Sequence, residues 1–350
     1  MRIALISPIV ERVPPIDYGG IEMVVGLICE ELVRRKHKVT LYASGDSKTL
    51  ANIESVCYKP LKNIDKEVYL MYVQWLTSKL LEDAKKYDVI HSHLSWHILP
   101  LVNLVKTPIV TTFHINLEDV MAKKFYRDYK KCFFTSISNS QRKPLPELNY
   151  VSTVYHGLDT EKYSFNFKPK DYILFLGRIC KEKGTAEAIK IAKLAGKKLI
   201  IAAKLDSKKD LYYQKEIKPF IDNKQIKYVG PVQQKEKIKL LQGAEALIFP
   251  VQWREPFGLV MIEAMSCGTP VIAYDNGATK EIIEDGKTGY LVKNIREAAA
   301  AIKKIKSIDR ENCRKRVMQH FTIEKMVDGY EEVYQKLIDK QNWKKWFKFI

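Results

Sequence analysis

The feature that most constrains this chain is a rhythm. Short apolar runs alternate with longer segments of helical period over most of its length. Arg2–Ser7, Lys38–Ser44, Asp88–Ser92, Pro108–Phe113 and Cys132–Ser136 read as buried strands, and Ile21–Arg35 and Tyr69–Lys86 between them read as helices. Strands apolar on both faces and joined through helices pair in parallel, with helices covering both sides of the sheet. The rhythm breaks near residues 157–170, at Gly157, Phe165-Asn166-Phe167 and Lys168-Pro169. It restarts at Tyr172–Gly177 and runs on through Lys198–Ala203, Lys227–Val229, Ala246–Phe249 and Pro270–Ala273. The chain has 350 residues, more than the roughly 250–300 that one core accommodates. The fold class expected is α/β: two Rossmann-like, doubly wound parallel-sheet domains facing an inter-domain cleft. Residues 1–160 are expected to form the first and 161–327 the second, with a helical pattern over about 328–350.

Ligands of such sheets bind at the carboxyl ends of strands and the amino ends of helices. The motifs fall there. Gly19-Gly20 precedes the helix at Ile21, where small residues and free N–H groups suit a phosphate, although a flexible loop would read the same way. The spacing is not G-x-G-x-x-G, which counts against a dinucleotide-dependent dehydrogenase. Gly177-Arg178 and Lys183-Gly184 join the first strand of the second half to its helix. A guanidinium and an ammonium on one loop make a compact site for a diphosphate, unless both are solvated surface cations. The most specific string is Glu255-Pro256-Phe257-Gly258-Leu259, followed by Glu263 and by Gly268-Thr269-Pro270. Two glutamates eight apart straddle a loop-to-helix junction; Glu255 and the backbone near Phe257, Gly258 and Leu259 suit sugar hydroxyls, and Glu263 suits the vicinal hydroxyls of a ribose. Acidic residues near a helix amino end are otherwise explained by the helix dipole, which accounts for either glutamate but poorly for the whole string.

This string, with Gly177-Arg178, Lys183-Gly184 and Gly19-Gly20, resembles the family 4 retaining glycosyltransferases of the GT-B fold, whose E-x7-E motif the glutamate pair matches. Val39–Asp46, His156-Gly157-Leu158-Asp159, Gly230-Pro231 and Gly277-Ala278 through Glu281 are similar in order to that family's strings. The resemblance implies catalytic roles for His114, Arg178, Lys183 and Glu255. Arg178 and Lys183 would hold the donor diphosphate, Glu255 the donor sugar, and His114 would stand beside the transferred sugar. Donor binding would fall to Gly19, Gly20, Gly177, Gly230, Pro256, Phe257, Gly258, Leu259 and Glu263. It implies a hexosyltransferase of carbohydrate biosynthesis that moves a glucose-, N-acetylglucosamine-, galactose- or mannose-type sugar from a nucleotide sugar, UDP favoured. The acceptor, a glycan, lipid or small molecule, is left open. Ala203-Lys204-Leu205-Asp206 stands where members often carry a glycine-rich loop, so the nucleotide is open too. No D-x-D occurs, and no cofactor or metal is expected. His91, His93 and His97 could be read as a zinc site, but no cysteine or carboxylate completes it nearby. The alternatives are a sugar-nucleotide epimerase of the same fold, which lacks the E-P-F-G…E string, and a basic nucleic-acid- or membrane-binding protein without transferase activity.

Charge bears on that last alternative. The formal net charge is +18, distributed as +5 over residues 1–150, +9 over 151–250, −2 over 251–300 and +6 over 301–350. Nucleic acid is disfavoured, because no nucleic-acid motif appears and aromatics are not interleaved with the basic clusters outside the tail. In that tail Trp343, Trp346, Phe347 and Ile350 recur at helical spacing with Lys344, Lys345 and Lys348 opposite, the pattern of a helix on an anionic membrane surface. Glu118–Lys131 is a second basic amphipathic stretch. Packing of the helix over about 328–350 back onto the first domain, which the GT-B resemblance implies, is the other reading. Six scattered cysteines, no apolar run of 18 residues and an amino terminus that reads as a strand lead to the expectation of a cytoplasmic protein, peripheral on the inner face of a membrane.

Overall fold

The structure, a computed structural model, describes residues 1–16, 19–207 and 209–346, and over 342–346 the backbone alone. The chain divides into two compact units: residues 1–157 with the chain from Ile323 onward, and Leu158–Thr322.

In the first unit the strands are β1 (Arg2–Ile6), β2 (Lys38–Tyr42), β3 (Asn52–Glu54), β4 (Val89–Ser92), β5 (Ile109–Thr112), β6 (Phe133–Ser136) and β7 (Tyr150–Thr153). They form one parallel sheet in the order β3-β2-β1-β4-β5-β6-β7. The second unit holds β8 (Ile173–Arg178), β9 (Leu199–Lys204), β10 (Ile226–Gly230), β11 (Ala246–Phe249), β12 (Val271–Tyr274) and β13 (Gly289–Val292). These are also all parallel, in the order β10-β9-β8-β11-β12-β13. Both are doubly wound orders. The winding reverses between β1 and β4 and between β8 and β11, and at such a reversal the flanking connections diverge and leave a crevice at the carboxyl ends. The central strands are the apolar runs of the sequence; all four residues of β4, β5 and β11 are buried. Three strands carry no comparable signal, and all three are edges. β3 and β7 have no fully buried residue, and β13 opens on Gly289 with its two middle residues only half-buried. An edge strand needs no long apolar run, because one side is unpaired and its faces are partly open.

The helix Ile323–Trp346 returns to the first unit and lies along the helix Gly20–Arg34. Its own Tyr330 and Tyr334 are fully buried. The Arg35 guanidinium fastens it, bonding Asp328 at 2.7 Å and Glu331 at 2.5 Å while also holding Glu31 at 2.9 Å. Of the proposed membrane tail, Phe347 and Lys348 lie outside the described residues, as do the side chains of Trp343, Lys344, Lys345 and Trp346. The basic stretch at 118–131 is a shorter helix, Val120–Asp128, capped by the Asp119 carboxylate. Its packed side is Ala122, Phe125, Tyr126 and Tyr129. Val120 and Met121 instead point outward, each 77% exposed.

Two arginines determine where the second unit begins. Arg314 donates to the carbonyls of Tyr163, Ser266 (2.6 Å) and Thr160 (3.1 Å). Arg310 donates to the carbonyls of Asn166 (2.8 Å) and Ala244 (3.0 Å) and to the Thr269 hydroxyl (2.8 Å). The irregular segment 158–166 is thereby stapled to the helix Arg310–His320 rather than left as a loose linker. Replacing Arg314 with alanine strands the Tyr163 and Ser266 carbonyls, while the Thr160 carbonyl keeps the Tyr163 amide, and each such loss costs about 1–3 kcal/mol. The expected outcome is a destabilisation of roughly 2 kcal/mol or more, read from urea unfolding; an unchanged midpoint would refute the staple.

Candidate functional site

In the second unit the predicted residues gather at the carboxyl ends of β8 and β11, on either side of the reversal. Gly177 and Arg178 end β8, and Lys183 ends the turn that follows it. Arg178 is partly exposed and pairs loosely with Asp206 at 3.9 Å. Lys183 is drawn inward: its ammonium donates to Glu255 Oε2 at 2.7 Å and sits 5.0 Å from the centre of the Trp253 ring. Trp253 Nε1 donates to the same Glu255 oxygen, also at 2.7 Å. One buried carboxylate oxygen thus takes a charged and a neutral donor, which is how a buried charge is kept tolerable.

The loop carrying Glu255 is held by its backbone. The Ala278 amide donates to the Glu255 carbonyl at 2.9 Å, and a Cβ on Gly277 would run into the Glu255 main chain, so only glycine permits that approach. Pro256 follows, and the Phe257 ring is buried 6.0 Å from Phe321. Gly258 then turns the chain with φ +95°, a conformation that L side chains rarely adopt, and the helix Leu259–Ser266 starts from it. That helix presents Glu263 from its fifth residue, 4% exposed. Glu263 Oε1 accepts from Lys237 Nζ at 2.6 Å and from the Tyr163 hydroxyl at 2.8 Å. Burial and the adjacent Glu263 carboxylate push the Tyr163 hydroxyl well above the usual phenol range. Gly230 ends β10, with φ +78° and open space where a side chain would stand.

The first unit supplies a different kind of site. Gly19 and Gly20 sit at the amino end of the helix Gly20–Arg34, where Gly19 adopts the cap position. His114 follows β5, and its Nε2 lies 2.8 Å from His93 Nδ1. His156 stacks on His114, with ring centroids 5.2 Å apart. His91 bonds the Tyr334 hydroxyl at 2.7 Å and the Thr112 hydroxyl at 2.6 Å, with its ring 4.1 Å from that of His93. Burial pushes His91 and His114 down to about 3 and His97 to about 4, and holds His93 and His156 well below the usual histidine range. These rings are neutral at pH 7. Neutral imidazoles in hydrogen-bond contact, as His93 and His114 are, share a proton as donor and acceptor. Among the described residues no group of three or more histidines, cysteines or carboxylates is arranged to hold a metal ion.

Sequence reading did not single out Lys237, Tyr163 or Trp253. None belongs to a motif, and Lys237 and Tyr163 lie 26 and 100 residues from the glutamate they meet. The one available signal was the need of each buried carboxylate for a cation.

The model for glycosyl transferases group 1 matches residues 159–320, and that for glycosyltransferase family 4 matches residues 18–162. This chain belongs to the family 4 glycosyltransferases. An uncharacterised glycosyltransferase of Methanocaldococcus jannaschii is 25% identical over 342 residues, covering 83% of this chain and 85% of the relative. A probable sucrose-phosphate synthase of Thermosipho melanesiensis is 30% identical over 200 residues, covering 55% and 46%. Among solved structures, the sucrose-phosphate synthase of Thermosynechococcus elongatus superposes with a TM-score of 0.81 at 19% identity, covering 97% of this chain and all of that one (100%). HepE of Anabaena, solved with UDP and glucose, gives 0.75 at 19% identity, covering 96% and 100%. The fold of this glycosyltransferase is GT-B.

The histidine cluster makes the glycosyltransferase acid-sensitive in a defined window. A histidine whose folded pKa is depressed leaves the native state with fewer protons than the unfolded chain, so stability rises with pH there. That stability is present above about 6.5, the unfolded value, and is lost as pH falls towards the folded values of about 3 to 4. Glu22, whose carboxyl burial pushes up to about 7, works in the opposite direction, but it is one group against five. Thermal melting at pH 7.5, 6 and 5 should show a progressive fall, up to roughly 1.4 kcal/mol per pH unit for each histidine that titrates. A flat profile over that range would exclude burial of the cluster.

Proposed function

We propose that this glycosyltransferase moves a hexose from a nucleotide sugar, UDP-sugar favoured, with retention of configuration and with side chains rather than a metal meeting the diphosphate charge. The observation that carries this reading is the pairing of Lys183 with Glu255 at 2.7 Å beside the left-handed turn at Gly258. It collects a phosphate-binding cation, a hydroxyl-binding carboxylate and a helix amino end at the reversal of one sheet. Support for the nucleotide comes from HepE of Anabaena, whose structures contain UDP and UDP-glucose.

In this reading Arg178 and Lys183 neutralise the leaving diphosphate, Glu255 with the backbone at Pro256, Phe257, Gly258 and Leu259 binds the sugar hydroxyls, and Glu263 binds the ribose. Gly177, Gly230, Gly19 and Gly20 line the donor through their backbones, and His114 serves the transferred sugar as a neutral ring. The bond from the anomeric carbon to the phosphate oxygen breaks while the acceptor oxygen attacks from the same face. The acceptor proton passes to the departing phosphate. Charge develops on the diphosphate and positive character on the sugar, so fixed cations act chiefly in the transition state. A carboxylate nucleophile is not invoked, because Glu255 Oε2 is committed to Lys183 and Trp253.

Lys183→Ala and Glu263→Ala are each expected to lower UDP-glucose hydrolysis or transfer by roughly 100-fold; wild-type rates in both would refute the assignment.

The membrane reading is proposed on the outward residues of the first unit. Val120 and Met121 project beside Lys123 and Lys124 on one short helix, and Trp96, 42% exposed, lies against Phe125 of the same helix. Among the described residues no helix is long and apolar enough to cross a membrane. Co-sedimentation with vesicles containing phosphatidylglycerol should be lost on removing residues 341–350 or on changing Val120 and Met121 to aspartate. Equal binding by both variants would exclude this surface.

A further inference from the structure

Glu263 is held on one side only. Lys237 Nζ, at 2.6 Å, and the Tyr163 hydroxyl, at 2.8 Å, both donate to Oε1. Among the described residues no hydrogen bond reaches Oε2. Behind Tyr163, Gln234 Nε2 donates to its oxygen at 3.0 Å, which turns the phenolic proton towards Glu263. Lys237 and Gln234 are one turn apart on the helix Gln234–Gly243, which packs against the helix carrying Glu263. Tyr163 is fixed in turn, because Arg314 grips its carbonyl. The three side chains are almost out of water: Tyr163 is 2% exposed, and the side chains of Lys237 and Glu263 are 17% and 5% exposed.

A carboxylate with one oxygen saturated cannot rotate freely, and its remaining oxygen has a fixed direction. Such a group accepts hydrogen bonds from adjacent hydroxyls at one place only. A bond to a charged acceptor is also stronger than one to a neutral acceptor. Lys237 also supplies the opposite charge that a carboxylate in a poorly solvated place requires.

We propose that Lys237 and Tyr163 are positioning residues that lock Glu263 Oε1, so that Oε2 selects a nucleoside diphosphate bearing an intact vicinal diol over its 2′-deoxy counterpart. This rests on the donor reading above and goes beyond it, because it assigns sugar selectivity to two residues outside the glutamate motif.

The test is calorimetric titration of the full chain with UDP, GDP and ADP, and with the 2′-deoxy form of whichever binds. Losing a hydroxyl bonded to a charged group should weaken wild-type binding by roughly 10- to 150-fold. In Lys237→Met that ratio should fall below about threefold, chiefly through weaker binding of the ribonucleotide. Tyr163→Phe, which removes one oxygen and keeps the buried ring, should lower the ratio less. Lys237→Arg should restore it. A purely structural ion pair would change melting temperature and leave the ratio alone, so a folded Lys237→Met or Tyr163→Phe protein with the wild-type ratio overturns the proposal. Absence of binding by all three ribonucleotides would instead overturn the donor reading, and this inference with it.

Discussion

Two carboxylates kept nearly out of water govern the arrangement of the second unit. An ionised group in a poorly solvated place must have an opposite charge and hydrogen-bond donors, or it takes up a proton. Glu255 meets Lys183 and Trp253; Glu263 meets Lys237 and Tyr163. Each pair ties different elements together. The first joins the turn after β8 to the loop after β11, and the second joins the helix Gln234–Gly243, the segment at 163 and the helix Leu259–Ser266. The loops at the reversal of this sheet are therefore organised by charge compensation as much as by apolar packing. In the proposed cycle the arrangement has a consequence for binding, because an incoming diphosphate competes with Glu255 for the Lys183 ammonium.

The first unit solves a similar problem with neutral groups. Its crevice residues are imidazoles and hydroxyls linked in series, from Tyr334 through His91 to Thr112, and from His93 to His114. Burial keeps the rings uncharged, so no counter-ion is needed. The helix Ile323–Trp346 takes part through Tyr330 and Tyr334, which lie against His91 with ring centroids 4.7 and 5.6 Å away. Docking of the closing helix and organisation of this histidine cluster are therefore one structural event.

Much of this was legible along the chain. The central strands announce themselves because a parallel strand buried on both faces has to be a continuous apolar run, and β1, β4, β5, β8 and β11 are such runs. The E-P-F-G…E string was legible because its spacing is local: a loop glutamate, a left-handed glycine and a helix glutamate follow one another within nine residues. The edges β3, β7 and β13 were not legible, since partly exposed strands have no such requirement. Val120 and Met121 were readable only as apolar members of a helix; which side of that helix faces the core depends on where Phe125 and Tyr126 find partners.

The sequence by itself determined the α/β class, the restart of the pattern after the break near residue 160 and the positions of Arg178, Lys183, Glu255 and Glu263 on the right loops, because these follow from local period and short spacing. Only the tertiary structure decided that Lys183 closes on Glu255, that Lys237 and Tyr163 saturate one oxygen of Glu263, and that Arg310 and Arg314 bind the 158–166 segment to the second unit. Those contacts join residues 26 to 154 positions apart. Long-range electrostatic pairing leaves no periodic trace in a sequence; it is chosen by which side chains the fold of the second unit brings out of water together.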